Sequence, residues 1–349
     1  MVAHGQAHQP RPRTPPYTQP GPGSPASPSG TVRCTAVSAD LWPEPTVAPV
    51  RLAGCAIEAT VPRVGGPSGN RALRVLGASG GGSRWSDLRS AGVGRRELAA
   101  AVGAGLVSRV GTGGYVLPGA PTAVVAAIRH SSAVGCISAL DHRGLNLLTS
   151  PTRPHLVPAR ARSDRRVVWH ARARCDDLAV SVPVALAQMG VCRPRVETLV
   201  ALDAAVRAGR VDPDEVLAAS RSRDRGDLLW ALSHLDTRAE SVLESALRAH
   251  LVAAGVQRIA LQVELDGIGR VDMLIDGWLV VEADGFEDHA TRAGYRADRR
   301  RGVAGVVGGW VTLRFGYEDI TLRSAAVTTA VLATLARHRR GVFRTAPST

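Results

Sequence analysis

The chain has 349 residues and a formal net charge of +13, from 43 basic and 30 acidic side chains. That length allows two or three domains with cores of their own, and the charge suits a polyanionic partner. Every basic residue is arginine, so a catalytic lysine is excluded; guanidinium stabilises phosphate charge but is a poor general base.

Cys34, Cys55, Cys136, Cys175 and Cys192 form no C-x-x-C pair. Their scatter argues against a zinc site and a disulfide framework, and reads as reduced thiols in a cytoplasmic protein, with Cys136 packed in a core. No apolar run reaches membrane-spanning length and no compact signal core is visible, so no membrane partner is expected.

Residues 1–82 read as a disordered or low-complexity extension: Pro, Gly, Ser and Gln dominate the first thirty, and 77–82 is nearly a linker. Residues 83–120 read as a DNA-binding unit. Ser86-Asp87-Leu88 opens a short helix that stops at Gly92, and Arg95-Arg96-Glu97-Leu98 opens a second. Segments 106–110 and 115–117 flank Gly111-Thr112-Gly113-Gly114 as a hairpin wing. Arg95 and Arg96 then stand at the start of the second helix and Arg109 on the wing, placed for phosphate; a pair of packing helices with solvated arginines is the alternative.

Residues 121–236 read as a mixed α/β connecting region. Helices are expected at 124–128, 137–140, 182–189, 196–208 and 213–219, the last capped by Asp212, with strands at 156–158 and 167–170. Arg160, Arg162, Arg165, Arg166, Arg172 and Arg174 make a basic segment that could track a phosphate backbone or stay solvated.

Residues 237–340 read as an α/β sandwich followed by a disordered tail, 341–349. Thr237 and Glu240 have capping-box spacing ahead of an apolar stripe, Leu243, Leu247, Leu251 and Ala254, with Glu244 at its edge. Strands at 259–265, 270–275 and 279–283, a basic helix near 295–301, a strand at 310–315 and a helix at 325–337 complete it. The hairpin around Asp276-Gly277 admits two registers. A two-residue loop mixes acid with hydrocarbon on both faces; a loop that includes Trp278 sets Asp272 opposite Glu282 and collects Val271, Met273, Ile275, Leu279, Val281 and Ala283 on one face. Hydrophobic segregation favours the second. Asp272, Glu282 and Asp284 then share the other face, and carboxylates crowded across a sheet are costly unless a hard cation sits among them. An ordinary solvated acidic face is the alternative.

Ser241-Val242-Leu243-Glu244, Gln262, Gly269-Arg270-Val271-Asp272, Val281-Glu282-Ala283-Asp284-Gly285, His289, Asp298-Arg299, Gly309-Trp310 and Leu313-Arg314-Phe315 together resemble the very-short-patch-repair-like endonuclease domain within the PD-(D/E)XK superfamily. Ala91-Gly92-Val93, Arg95-Arg96-Glu97-Leu98 and Gly114-Tyr115-Val116-Leu117 resemble, more loosely, the winged-helix domain of AbiEi-type antitoxins. The first resemblance implies a restriction-endonuclease-like fold in which Asp272 and Glu282 hold Mg2+ or Mn2+, Glu244 is a supporting carboxylate, and Asp284 replaces the superfamily's lysine. It also makes His289 the candidate that helps activate water, while Asp298, Arg299, Arg300 and Arg314 orient the site or contact phosphate. The expected activity is metal-dependent hydrolysis of DNA phosphodiesters. The alternative is a non-catalytic antitoxin-like regulator on a vestigial nuclease fold. Phosphate contacts carry no base identity, so RNA fits the charge as DNA does, and a homodimer is compatible with both readings.

Overall fold

A computed structural model describes residues 71–160, 163–173, 175, 177–285 and 292–339, with the backbone alone for 292–298. All of them belong to one compact unit, Thr46–Thr349. They form a mixed α/β structure with three small sheets.

Order starts earlier than composition suggests. Helix α1, Arg71–Ala78, lies inside the stretch expected to be a low-complexity extension. Ala72 and Leu76, one turn apart, are both 0% exposed, and they pack in a small core with Leu88, Leu98 and Val107. The glycines that obscure this helix in the sequence serve as its stop. Gly80 and Gly81 take φ of +68° and +97°, and the Gly81 N–H donates back to the Leu76 carbonyl at 2.8 Å. Strand β1, Gly82–Arg84, follows, then α2, Trp85–Ser90, and α3, Arg95–Gly103. The expected hairpin is β2, Ser108–Val110, with β3, Gly114–Val116. Arg84 pairs with Gly114 and Ser83 with Tyr115, so the start of the expected DNA-binding unit, with Gly82 of the presumed linker, adds a third strand in the order β1-β3-β2.

The middle of the chain builds α4, Thr122–His130, β4, Ala133–Val134, α5, Cys136–His142, β5, His155–Val157, and β6, Val168–Trp169. These three strands are ordered β4-β5-β6, the last pair parallel. Helices α6, Val182–Cys192, α7, Arg195–Arg207, α8, Pro213–Ala219, and α9, Gly226–Ser233, come next. Asp212 caps α8 by accepting the Asp214 N–H at 2.8 Å, with Glu215 reaching back and Pro213 at the first helical position.

The last third comprises α10, Val242–Ala253, β7, Ile259–Leu265, β8, Gly269–Ile275, β9, Leu279–Asp284, α11, Arg292–Val307, β10, Val311–Gly316, α12, Tyr317–Leu322, and α13, Ser324–Arg339. The cap of α10 is Ser241, whose hydroxyl accepts the Glu244 N–H at 3.0 Å, and not Thr237 as the spacing suggested. The sheet runs β10-β9-β8-β7, with β10 parallel to β9 and the other neighbours antiparallel. Ile275 pairs with Leu279 and Met273 with Val281, which puts Trp278 in the loop and selects the three-residue-loop register; the expected apolar face is incomplete, because Val271 packs with Leu265 and Val280 in a separate cluster. Met273, Ile275, Leu279 and Val281 are fully buried in a core shared with Leu247 and Leu251 of α10 and Val327 and Val331 of α13.

That core is continuous from Val116 to Leu335 and crosses positions 236–237 without a break. Across this junction the Arg248 guanidinium of α10 meets Asp203 of α7 at 2.8 Å, both side chains nearly inaccessible. Asp203 also accepts from the Ser245 hydroxyl and, at 3.0 Å, from the Asp236 N–H, so its charge is fully engaged.

Candidate active site

Asp272 of β8 and Glu282 of β9 lie on neighbouring strands just beyond the last paired residues, Met273 and Val281, and Arg314 of β10 pairs with Glu282. The ladder is interrupted along this row. Pairing runs Leu261 to Met273 and Val263 to Val271 but skips Gln262 and Asp272, and Gln262 sits at φ +54°. A non-glycine residue in the left-handed region inside a strand costs about 1–3 kcal/mol, and such strain gathers where a side chain must be re-aimed. Here the Gln262 amide donates to Glu244 at 2.8 Å. Asp272, in turn, accepts the Ala283 N–H at 2.8 Å, its carboxylate standing in for the missing ladder bond to β9.

Four acids thus influence one another. Glu244, 9% exposed on the first turn of α10, also accepts the Glu240 N–H at 2.8 Å. Burial, opposed by the Ala283 N–H and reinforced by the charges of Glu244, Glu282 and Asp284, raises the Asp272 carboxyl from its ordinary range to about 6. An acid pushed up mainly by burial, and further by three other acids, is an electrostatic environment that a divalent cation relieves. The donor set is therefore of the right chemistry for Mg2+ or Mn2+: hard oxygens and a deficit of positive charge at Asp272.

Glu282 has another claim on it. It is 7% exposed, and its two oxygens accept from Arg301 at 2.9 Å and from Arg314 at 2.6 Å. Arg314, expected to face phosphate, is thereby drawn onto the acid, and with Arg301, Trp310 and Thr312 it borders a cavity of about 320 Å³ beside Glu282. Arg299 lies exposed on α11. His289 and the side chain of Asp298 lie outside the described residues.

The arginines of the first third gather around a second recess. Arg95, Arg109, Trp85 and Tyr115 border a cavity of about 380 Å³ between α3 and the small sheet. The Arg95 guanidinium lies 5.5 Å from the Trp85 ring centre and Arg109 lies 5.6 Å from that of Tyr115, with a 3.3 Å bond to its hydroxyl. Stacking on a ring orients a guanidinium without neutralising it, which leaves its charge available to a phosphate. Arg96 is exposed next to Arg95 at the start of α3.

One group of side chains was not signalled by the sequence. Cys136, thought to be simple core packing, lies with Cys192, His155 and His170, and one ligand-type atom from each falls within 4.8 Å of all the others. Among the described residues this is the set that meets that criterion; the carboxylates around Asp272 do not. His155 Nδ1 and His170 Nε2 are 3.0 Å apart, and Cys192 Sγ is 3.7 Å from His155 Nδ1. Burial and the neighbouring Cys192 thiol push Cys136 up, whereas the Cys136 thiol and both imidazoles hold Cys192 far below the ordinary thiol range. The four positions are separated by nineteen, fifteen and twenty-two residues, so no local motif signals them.

No protein-family model and no curated protein matches this chain.

Proposed function

We propose that the protein binds DNA and hydrolyses its phosphodiester backbone with Mg2+ or Mn2+ at the row that carries Asp272. The order α1, β1, α2, α3, β2, β3 supports a winged-helix reading of the first third, with Arg95, Arg96 and Arg109 on phosphate. The α10 helix, the antiparallel β7-β8-β9 meander and the parallel β10 beyond α11 support a PD-(D/E)XK-like reading of the last third. The observation that carries the activity is the Asp272 carboxyl, raised to about 6 by burial and by the charges of Glu244, Glu282 and Asp284, with its oxygen on the Ala283 N–H at 2.8 Å.

Asp272 and Glu282 would hold the cation, and a bound divalent ion supplies polarisation of the phosphoryl oxygen and a more acidic water. Glu244 fixes Gln262, and through it the edge of the site, while Ala283 N–H holds the Asp272 carboxylate in place. Asp284 or His289 would take the proton from the attacking water. Arg301 and Arg314 hold Glu282 in the isolated chain and are positioned to exchange that contact for an incoming phosphate, where their charge stabilises the transition state.

The same two ion pairs favour the second reading, a DNA-binding regulator of AbiEi-antitoxin type whose nuclease fold is vestigial. In that reading Arg301 and Arg314 permanently supply the positive charge that a cation would otherwise bring. Supercoiled plasmid with Mg2+ or Mn2+ separates the two. Hydrolysis requires nicking by the wild type that falls by roughly 10³-fold or more in Asp272→Ala, the loss expected when a metal ligand is removed. Nicking unchanged in that variant refutes the site, and DNA binding without nicking by the wild type establishes the regulator.

A further inference from the structure

We propose that Cys136, His155, His170 and Cys192 bind a zinc ion that clamps the middle of the chain. The spacing of the donor atoms is the first argument. A tetrahedral zinc with nitrogen at about 2.0–2.1 Å and sulfur at about 2.3 Å sets its ligands roughly 3.3 Å apart for N···N and roughly 3.6 Å apart for N···S. The corresponding separations here are 3.0 Å and 3.7 Å, each within a few tenths of an ångström of the ideal, and all four donor atoms lie within 4.8 Å of one another.

The scaffold supplies the second argument. Cys136 opens α5 at φ +49°, a strained position for a residue with a side chain, and its N–H is held by the Gln188 side chain at 2.8 Å. Gly135 before it lies so close to β5 that a Cβ would come within 2.8 Å of Val157 and 2.9 Å of Gln188. Its N–H donates to the His155 carbonyl at 2.8 Å, and the His155 N–H donates to the Ser138 hydroxyl at 3.1 Å. His170, just after β6, is tied by its N–H to the Leu156 carbonyl at 2.9 Å. The backbones that present three of the ligands are therefore bonded to one another, and Cys192 enters from the end of α6.

Chemistry supplies the third. The rings of His155 and His170 are stacked with centres 5.3 Å apart and present nitrogens to each other beside two sulfurs. Two imidazoles and two thiols are a borderline-soft donor set that suits Zn2+ and not Mg2+. On binding, the Cys136 and Cys192 sulfurs coordinate as thiolates, any thiol proton leaves to solvent, and both histidines coordinate as neutral imidazoles. Four protein ligands leave no open position for substrate, so the ion fastens α5, β5, β6 and α6 together and takes no part in hydrolysis. This site is independent of the nuclease reading.

Full-length protein purified without chelator should carry one zinc ion per chain by elemental analysis. Exchange of Co2+ into the stripped protein should give tetrahedral d–d bands in the visible and thiolate-to-cobalt charge transfer in the near ultraviolet. Cys192→Ser and His170→Ala should each weaken Zn2+ binding by roughly 100-fold or more, and Cys175→Ser should leave it unchanged. The cobalt spectrum needs no variant, so a substitution that impairs folding does not obscure the result. Stripped wild type that gives no thiolate-to-cobalt band overturns the proposal. So does zinc retained at wild-type affinity in Cys192→Ser, or a Cys136–Cys192 disulfide in protein prepared under reducing conditions.

Discussion

The acids around Asp272 and the sulfur and nitrogen donors around Cys136 are assembled in opposite ways. Asp272, Glu282 and Asp284 come from one hairpin, so a few neighbouring residues bring them close in the chain. Cys136, His155, His170 and Cys192 come from four elements and meet only because β5 is paired on both sides and α6 returns across it. Local origin makes the acids easy to find but does not make them converge: like charges repel, and Glu282 has turned to Arg301 and Arg314. The distant ligands are two thiols and two imidazoles presented by elements whose backbones are bonded to one another, and they meet within coordinating reach. Proximity in sequence is thus a poor guide to convergence when the groups share a charge.

The two regions are joined by the buried Asp203–Arg248 pair, and breaking that joint gives the largest expected effect. Asp203→Ala leaves the Arg248 guanidinium buried without its carboxylate and should destabilise the chain by about 3–5 kcal/mol, read from urea unfolding. An unfolding midpoint unchanged from wild type would show that the junction tolerates the isolated charge.

A smaller effect sharpens the contest for Glu282. Arg301→Ala frees one carboxylate oxygen, so Mn2+ affinity measured by calorimetry should rise by roughly tenfold, equivalent to about 1.4 kcal/mol for one charge-assisted hydrogen bond. Unaltered or weaker affinity would mean that the cation does not use Glu282.

The smallest effect concerns pH. Because the folded Asp272 carboxyl titrates near 6 and the unfolded one near the ordinary value of 3.8, the native state binds more protons between these limits, and stability falls as pH rises through that window. Partial exposure screens the effect. Asp272→Asn keeps an acceptor for the Ala283 N–H and removes the charge, so it should stabilise the metal-free protein by about 1 kcal/mol at pH 7.5 and by nothing below pH 3.5. Thermal melts at the two pH values check this. A gain equal at both would assign it to something other than ionisation. In the wild type, Mg2+ should raise the melting temperature more at pH 7.5 than at pH 5, where protons already quiet the repulsion.

Much of the fold was legible locally. The Asp212-Pro213 helix start, Leu247 and Leu251 of the α10 stripe and the three-residue hairpin loop are properties of a few neighbouring residues and hold in the structure, whereas Ala254 is exposed and Val271 packs apart from Met273. The first helix was only half legible: the winged-helix reading places an upstream helix at 72–79, but the glycines that curtail that run are ones a composition argument assigns to linker. Its stability comes from Leu88 and Leu98, which lie beyond the window in which Leu76 is read.

By itself the sequence determined the arginine-only charge, the three acids of one hairpin and the Arg95-Arg96 helix start, since each follows from residue identity and the period of one element. Tertiary structure alone decided that Glu282 is claimed by two arginines, that Gln262 turns out of its strand toward Glu244, and that Cys136 and Cys192 meet two histidines. Those outcomes depend on which distant segments pack side by side, and side-chain distances across such contacts are set by the whole core and not by any spacing along the chain.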